Sequence, residues 1–225
     1  MANAVEKVNT IAIADIEAIN TITDANLQAL NTLEFTGAAA DAHTLIATAT
    51  ASSSASLDFV DGTSGVVMDN TYPVYEFIFV NMHPETNGVD WMFQVNADGG
   101  ADFDETITST SFLTYYAEGG GTPEFVYRTA EDQAETTAYQ PLTGYTGNQN
   151  DGSVSGKMTL YAPSSTTYVK HFVSTAVDIY DAASLSSWHI AGYINTTSAI
   201  DEISFKMSSG NIDSGVIKMY GLAKS

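Results

Sequence analysis

Carboxylates are the residues of this 225-residue chain most able to do chemistry: 27 Asp and Glu stand against 7 Lys and Arg. They are densest in the run Asn96-Ala97-Asp98-Gly99-Gly100-Ala101-Asp102-Phe103-Asp104-Glu105. Carboxylates spaced along a glycine-bearing turn supply oxygen ligands of the kind Ca²⁺ takes six to eight of, so Asp98, Asp102, Asp104 and Glu105 form a candidate calcium loop. The spacing is not that of an EF-hand, and the alternative is a solvated acidic turn. No other cofactor is expected. The chain has no Cys, which removes disulfides, thiolate catalysis and thiolate metal ligation.

Other reactive constellations are sparse. The sequence contains no G-x-S-x-G, H-E-x-x-H, phosphate-binding loop or G-x-G-x-x-G, and Gly62-Thr63-Ser64-Gly65 reads as a turn between short strands. The four histidines, His43, His83, His171 and His189, are far apart in sequence, and the last two fall in apolar strand-like runs beside aromatics. The expectation is a protein that is not an enzyme. Saccharide binding uses aromatic faces with neighbouring amides or carboxylates, and Tyr139, Tyr145, Asn148 and Trp188 are the candidate contacts, the first three within the polar stretch 129–153.

Charge excludes more than it selects. A formal net charge of −20 opposes nucleic acid and anionic membranes, both of which recruit clustered Lys and Arg. No run of 18 apolar residues is present, and Glu6 and Lys7 open a polar repeat where a secretory leader would place an apolar stretch, so neither a membrane span nor Sec export is expected. An acidic surface suits a salty medium.

From Leu57 onward, β-branched and aromatic runs alternate with Gly, Asn, Asp and Ser, which predicts an all-β domain over 57–225. Strands are expected at 57–61, 65–69, 72–82, 89–95, 107–117, 123–129, 154–162, 167–179, 187–194, 199–208 and 215–222. In Ile203-Ser204-Phe205-Lys206-Met207 apolar and polar residues alternate, the mark of a half-exposed strand. Val74 to Val80 is apolar on both faces except for Glu76, so it is expected at the centre of a sheet, with its second face covered by a loop or a neighbouring subunit. The stretch 129–153 is long enough to be functional or docked. Residues 37–56, rich in Ala, Ser and Thr, read as a flexible connector.

Residues 1–36 carry a repeat of period eleven. Val5-Glu6-Lys7-Val8-Asn9-Thr10-Ile11 returns as Ile16-Glu17-Ala18-Ile19-Asn20-Thr21-Ile22 and as Leu27-Gln28-Ala29-Leu30-Asn31-Thr32-Leu33. Asn-Thr disfavours a continuous helix, so the expected unit is a short helical turn such as Asp15–Ile19, an Asn-Thr turn and an extended piece such as 11–13. Three such units bury too little to stand alone, which makes Val5, Val8, Ile11, Ile16, Ile19, Ile22, Leu27, Leu30 and Leu33 candidate anchor residues for self-association or a partner. A single amphipathic helix packed on the β domain is the plainer alternative.

Such tandem segments resemble those near the N-termini of structural proteins of tailed bacteriophages, particularly tail and appendage proteins of marine phages. The closing stretch, Ile203–Met207, Ser209-Gly210-Asn211-Ile212, Gly215 and Ile217-Lys218-Met219-Tyr220-Gly221-Leu222, is similar to the last hairpin of jelly-roll domains in phage virion proteins. The resemblance implies a mainly β protein with a jelly-roll-like antiparallel sandwich, anchored through its N-terminus. It implies a homo-oligomer, expected to be a trimer, with other virion proteins as partners and the virion as its location, assembled in the host cytoplasm and then extracellular. A tail fibre, spike or appendage component fits first, and a head decoration or head fibre protein is the close alternative. From a different class, a carbohydrate-binding module remains, with a host surface glycan as ligand.

Overall fold

The computed structural model describes residues 7–8, 11–12, 43–97, 99, 102–180 and 184–223. The chain divides into two units, Met1–Asp41 and Ala42–Ser225, each described by itself. In the first, β1 (Lys7–Val8) pairs antiparallel with β2 (Ile11–Ala12), Val8 opposite Ile11. The two residues between them in sequence are Asn9-Thr10, the dipeptide that closes every repeat. An extended piece at Ile11–Ala12 agrees with the sequence reading. Val5, Ile16, Ile19, Ile22, Leu27, Leu30 and Leu33, and the helical turn expected at Asp15–Ile19, lie outside the described residues.

The second unit is an antiparallel β-sandwich. Its strands are β3 (His43–Ser54), β4 (Leu57–Val60), β5 (Val74–Pro84), β6 (Trp91–Ala97), β7 (Ile107–Ala117), β8 (Glu124–Tyr127), β9 (Gln140–Pro141), β10 (Val154–Tyr161), β11 (Lys170–Tyr180), β12 (Ser184–Ile194), β13 (Ile200–Met207) and β14 (Ile212–Leu222). One sheet has eight strands in the order β3-β14-β5-β10-β11-β12-β7-β8, and the other four in the order β4-β13-β6-β9. Take the first four strands of the large sheet with the small sheet, and the chain passes β3 to β4, β4 to β5, β5 to β6, β9 to β10 and β13 to β14 across the sandwich. This is the interleaved double Greek key of a jelly roll. The pairs β7-β8 and β11-β12 are insertions that widen the large sheet.

The domain therefore begins earlier than the sequence suggested. Residues 43–54 are no connector but the first strand of the jelly roll, paired with β14 along its length. Ala47, Ala49 and Ala51 lie opposite Met219, Ile217 and Gly215 and turn inward, while Thr48 and Thr50 turn outward. Small inward residues on an edge strand fit against large neighbours, and the resulting Ala/Thr/Ser composition carries none of the aromatic signal by which strands are read. The expected strand at 65–69 is instead an irregular segment. Asp61 draws it back by accepting the Met68 N–H at 2.8 Å, and Gly62-Thr63-Ser64-Gly65 is a turn with the Thr63 N–H donating to Val60 O.

The sandwich core is aromatic. Phe205 of β13 stacks on Trp91 (5.8 Å, 12° between planes) and meets Phe59, Phe77, Phe79 and Phe93 within 6.3 Å. These rings come from the period-2 apolar positions of β4, β5, β6 and β13, so alternation alone aims them at one another. Val74 to Val80 is central, as expected, flanked by β14 and β10, with Tyr75, Phe77 and Phe79 buried.

Candidate functional site

The small sheet spans only part of the large one. The inward faces of β11, β12 and β7 are covered instead by the stretch 128–148. The Arg128 N–H donates to Ser111 O, the Ser109 N–H to Gln133 O, and Ile107 bridges Thr136; Thr146 bridges both Val89 and Tyr180. A loop cannot bury its backbone without partners, and here glutamines supply them. Gln140 donates from Nε2 to the carbonyls of Glu131 (2.8 Å) and Pro141 (2.7 Å) and accepts from Ser109 Oγ (2.6 Å). Gln94 Nε2 lies 2.9–3.1 Å from the carbonyls of Glu105, Thr137 and Ala138. At the start of β11 in the large sheet, the buried Lys170 ammonium donates to Ser165 O, Thr196 O and Ser198 O, tying two loops together.

Over β11 and β12 the docked stretch gathers most of the domain's interior charge. Arg128 forks onto the buried Glu131 (Nε to Oε2 3.0 Å, Nη2 to Oε1 2.6 Å), with its guanidinium 5.8 Å from the Tyr145 ring centre and 5.7 Å from that of Trp188. Gly144 leaves room for this pair: a Cβ would lie 2.8 Å from Glu131 Oε1 and 3.2 Å from Trp188 Cη2, so a side chain there would make Glu131 shift. Asp90 accepts the Tyr145 N–H, and its carboxyl is raised above the usual value, first by burial and further by the Glu131 charge. Below them Asp178 is buried and accepts from Trp188 Nε1 (3.0 Å) and Thr146 Oγ1 (2.9 Å). Burial outweighs those hydrogen bonds and lifts the Asp178 carboxyl to about 6.

The expected saccharide contacts do not come together as one surface. Trp188 is 1% exposed, its ring packed in the core and its N–H spent on Asp178, so it offers no face to a ligand. Asn148 is fastened by its own amide, which donates to Glu85 O at 2.9 Å. Tyr139 packs against the other sheet, with Lys206 Nζ 4.0 Å from its ring centre and burial raising its hydroxyl above the ordinary tyrosine value. Only Tyr145 is open: 47% exposed, with φ +60 at a non-glycine residue, and 5.4 Å from Tyr180. Arg128, Asp90 and Tyr180 are its neighbours, none of them marked in the sequence by anything beyond residue type.

Of the acidic run, Asp98 lies outside the described residues, Asp102 and Asp104 are exposed, and Glu105 is half-buried. No group of three or more His, Asp and Glu that would hold a metal ion occurs among the described residues. The histidines are dispersed, as their sequence spacing implied: His171 and His189 lie on β11 and β12 near Tyr193 and Phe112, His43 is 3.1 Å from Glu76, and His83 Nδ1 is 2.6 Å from Gly152 O.

The largest feature is the outward face of the eight-stranded sheet. Leu45, Val80, Tyr161, Val177, Leu185 and Phe125 are exposed on it, from one edge strand to the other. Near its middle, beside Gly156, is a shallow depression of about 310 Å³ lined by Ile78, Lys157, Thr175, Val177 and Ser187. The cover expected over the outward side of Val74 to Val80 is not supplied by any described residue, and Val80 is 40% exposed. No family model matches the chain, and neither a curated protein nor a solved structure matches it.

Proposed function

We propose that this chain is a non-enzymatic structural protein of a tailed-phage particle, anchored through residues 1–36 and displaying the jelly roll, as a tail fibre, spike or appendage component. The observation that carries the reading is the pairing of a jelly roll with a broad, carboxylate-poor face bearing exposed Leu45, Val80, Tyr161, Val177, Leu185 and Phe125 that no described residue covers. A soluble monomer rarely exposes such a patch, whereas a building block requires one. The repeat points the same way, since its aliphatics want a partner. A head decoration or head fibre protein is the neighbouring form of the same proposal. Mass spectrometry of purified particles decides: tens of copies per particle fit a tail component, hundreds a head component, and absence from the particle overturns the reading. Deletion of 1–36 is expected to leave a folded sandwich that no longer incorporates; incorporation of the deletion variant removes the anchor role.

A second reading rests on Tyr145, an exposed ring in a sparsely populated backbone conformation beside Arg128 and Asp90. Such a site suits a saccharide on a host surface. Glycan-array binding by the wild type that Tyr145→Ala abolishes supports it, and silence across the array excludes it.

A further inference from the structure

We infer that the outward face of the eight-stranded sheet is the surface through which copies of this chain pack on one another. The inference rests on the structural reading above and deepens it by naming the surface and the partner. Two chains of net charge −20 repel, so any contact between copies must fall where carboxylates are missing. On the outward positions of β5, β10, β11, β12 and β7 the only carboxylate is Glu76. Glu76 is itself neutralised, with Lys157 Nζ at 2.8 Å and His43 Nε2 at 3.1 Å. β11 has one acid, Asp178, and it turns inward to Trp188. These five central strands thus present one paired carboxylate outward, while Lys157 on β10 and Lys218 on the neighbouring β14 lie on the same face.

What replaces the charge suits burial. Across the strands the outward residues pair as Val177 with Ser187, Ile179 with Leu185, Leu185 with Tyr116 and His189 with Phe112. Depletion of charge with aromatic enrichment is the composition of an interface core. The size also fits. Seven inter-strand spacings of about 4.8 Å and strands of some eleven residues at about 3.3 Å give a face on the order of 1,200 Å², against roughly 800 Å² per partner in a stable complex. A neutral face on an acidic molecule matches another copy of the same face or of its uncharged rim; a basic partner would find its complement elsewhere on the surface.

The absence of Cys makes the test direct, because one introduced thiol reports one position. In the full chain, Leu185→Cys is expected to be linked between two copies by a short bismaleimide. Tyr168→Cys, more exposed than Leu185 but on a loop, is expected to stay unlinked. Leu185→Glu and Val177→Glu, which add charge to exposed positions and leave the fold intact, are expected to weaken self-association at least tenfold in light scattering coupled to size exclusion. Three results overturn the inference: a wild type that is monomeric at 100-micromolar order, equal linking at the two thiol positions, or Glu variants that associate like wild type. In the last case association runs through residues 1–36 and the virion proposal survives; absence of the protein from particles sinks that proposal while leaving the linking result intact.

Discussion

The two halves of the large sheet are buried in different ways. Under β14, β5 and β10 the cover is a second sheet, and the contact is a cluster of rings around Phe205 and Trp91. Under β11, β12 and β7 the cover is the stretch 128–148, and the contact runs through Gln94, Gln133, Gln140, Arg128, Glu131 and Asp178. An apolar cover tolerates sliding and is paid in area, whereas a loop brings backbone polar groups that each need a partner. The first half is held by quantity of contact, the second by a dense set of hydrogen bonds that still leaves the buried Ser111 Oγ and Gln133 Oε1 without a partner.

If that contrast is right, the largest loss follows truncation of a shared ring. Phe205→Ala removes the ring that five others touch, and a fully buried Phe costs about 3–5 kcal/mol on truncation. Chemical denaturation should show a drop of about 4 kcal/mol. A loss below about 1 kcal/mol would mean that the small sheet is not tightly seated. Phe205→Leu, which keeps most of the volume, should lose much less.

Asp178 tests the polar half through pH. Its carboxyl is raised from 3.8 to about 6, so the folded state holds the proton more tightly than the unfolded chain. The group's contribution to stability is full below about 4 and is lost as pH rises through about 6, at about 1.4 kcal/mol per pH unit between the two values, about 3 kcal/mol in all. Asp178→Asn cannot ionise. Its Oδ1 can still accept from Trp188 Nε1, and its amide can donate to Thr146 Oγ1, whose own proton can turn to Thr143 Oγ1 at 3.1 Å. The variant should melt higher than wild type at pH 8, and the gap should close at pH 4. A gap independent of pH would show that Asp178 is stabilised as a carboxylate and that burial is not the governing effect.

These halves also differ in how far they could be read beforehand. The aromatic half is written in alternation: Tyr75, Phe77 and Phe79, or Ile203, Phe205 and Met207, announce strand and inward face together. The polar half is not, because Gln94 and Gln140 look like surface residues until a loop folds over them, and no spacing connects Asp178 to Thr146 across 32 residues. The same blindness hid β3. Ala47, Ala49 and Ala51 are inward positions made small by what faces them, and a pattern of size complementarity lies in the partner strand, not in the strand itself. Of the saccharide candidates only Tyr145 is exposed as expected, since residue type does not distinguish a ring on a surface from Trp188 in the core.

Gln140→Leu gives the middle-sized effect. Leucine nearly matches glutamine in volume, but it leaves Glu131 O, Pro141 O and Ser109 Oγ without this partner in a buried site. Unsatisfied buried groups cost about 1–3 kcal/mol each in context, and partial relaxation should hold the total near 2 kcal/mol. Hydrogen exchange should locate the loss: amides of 131–146 open, while those of β5 and β14 keep their protection. Uniform loss of protection would make the two halves one cooperative unit.

The smallest effect is expected on the outward face, where neither kind of burial operates. Lys157→Ala removes the 2.8 Å pair with Glu76, but that lysine is half-exposed and solvent screens it, so stability should change by no more than about 0.5 kcal/mol, and less in high salt. Its consequence lies elsewhere. Without Lys157, Glu76 keeps His43 as its charged partner among the described residues and restores a negative charge to that face. A variant with wild-type melting but weaker self-association would separate what holds the fold from what joins its copies, and unchanged association would show that one restored charge is too little to keep two such faces apart.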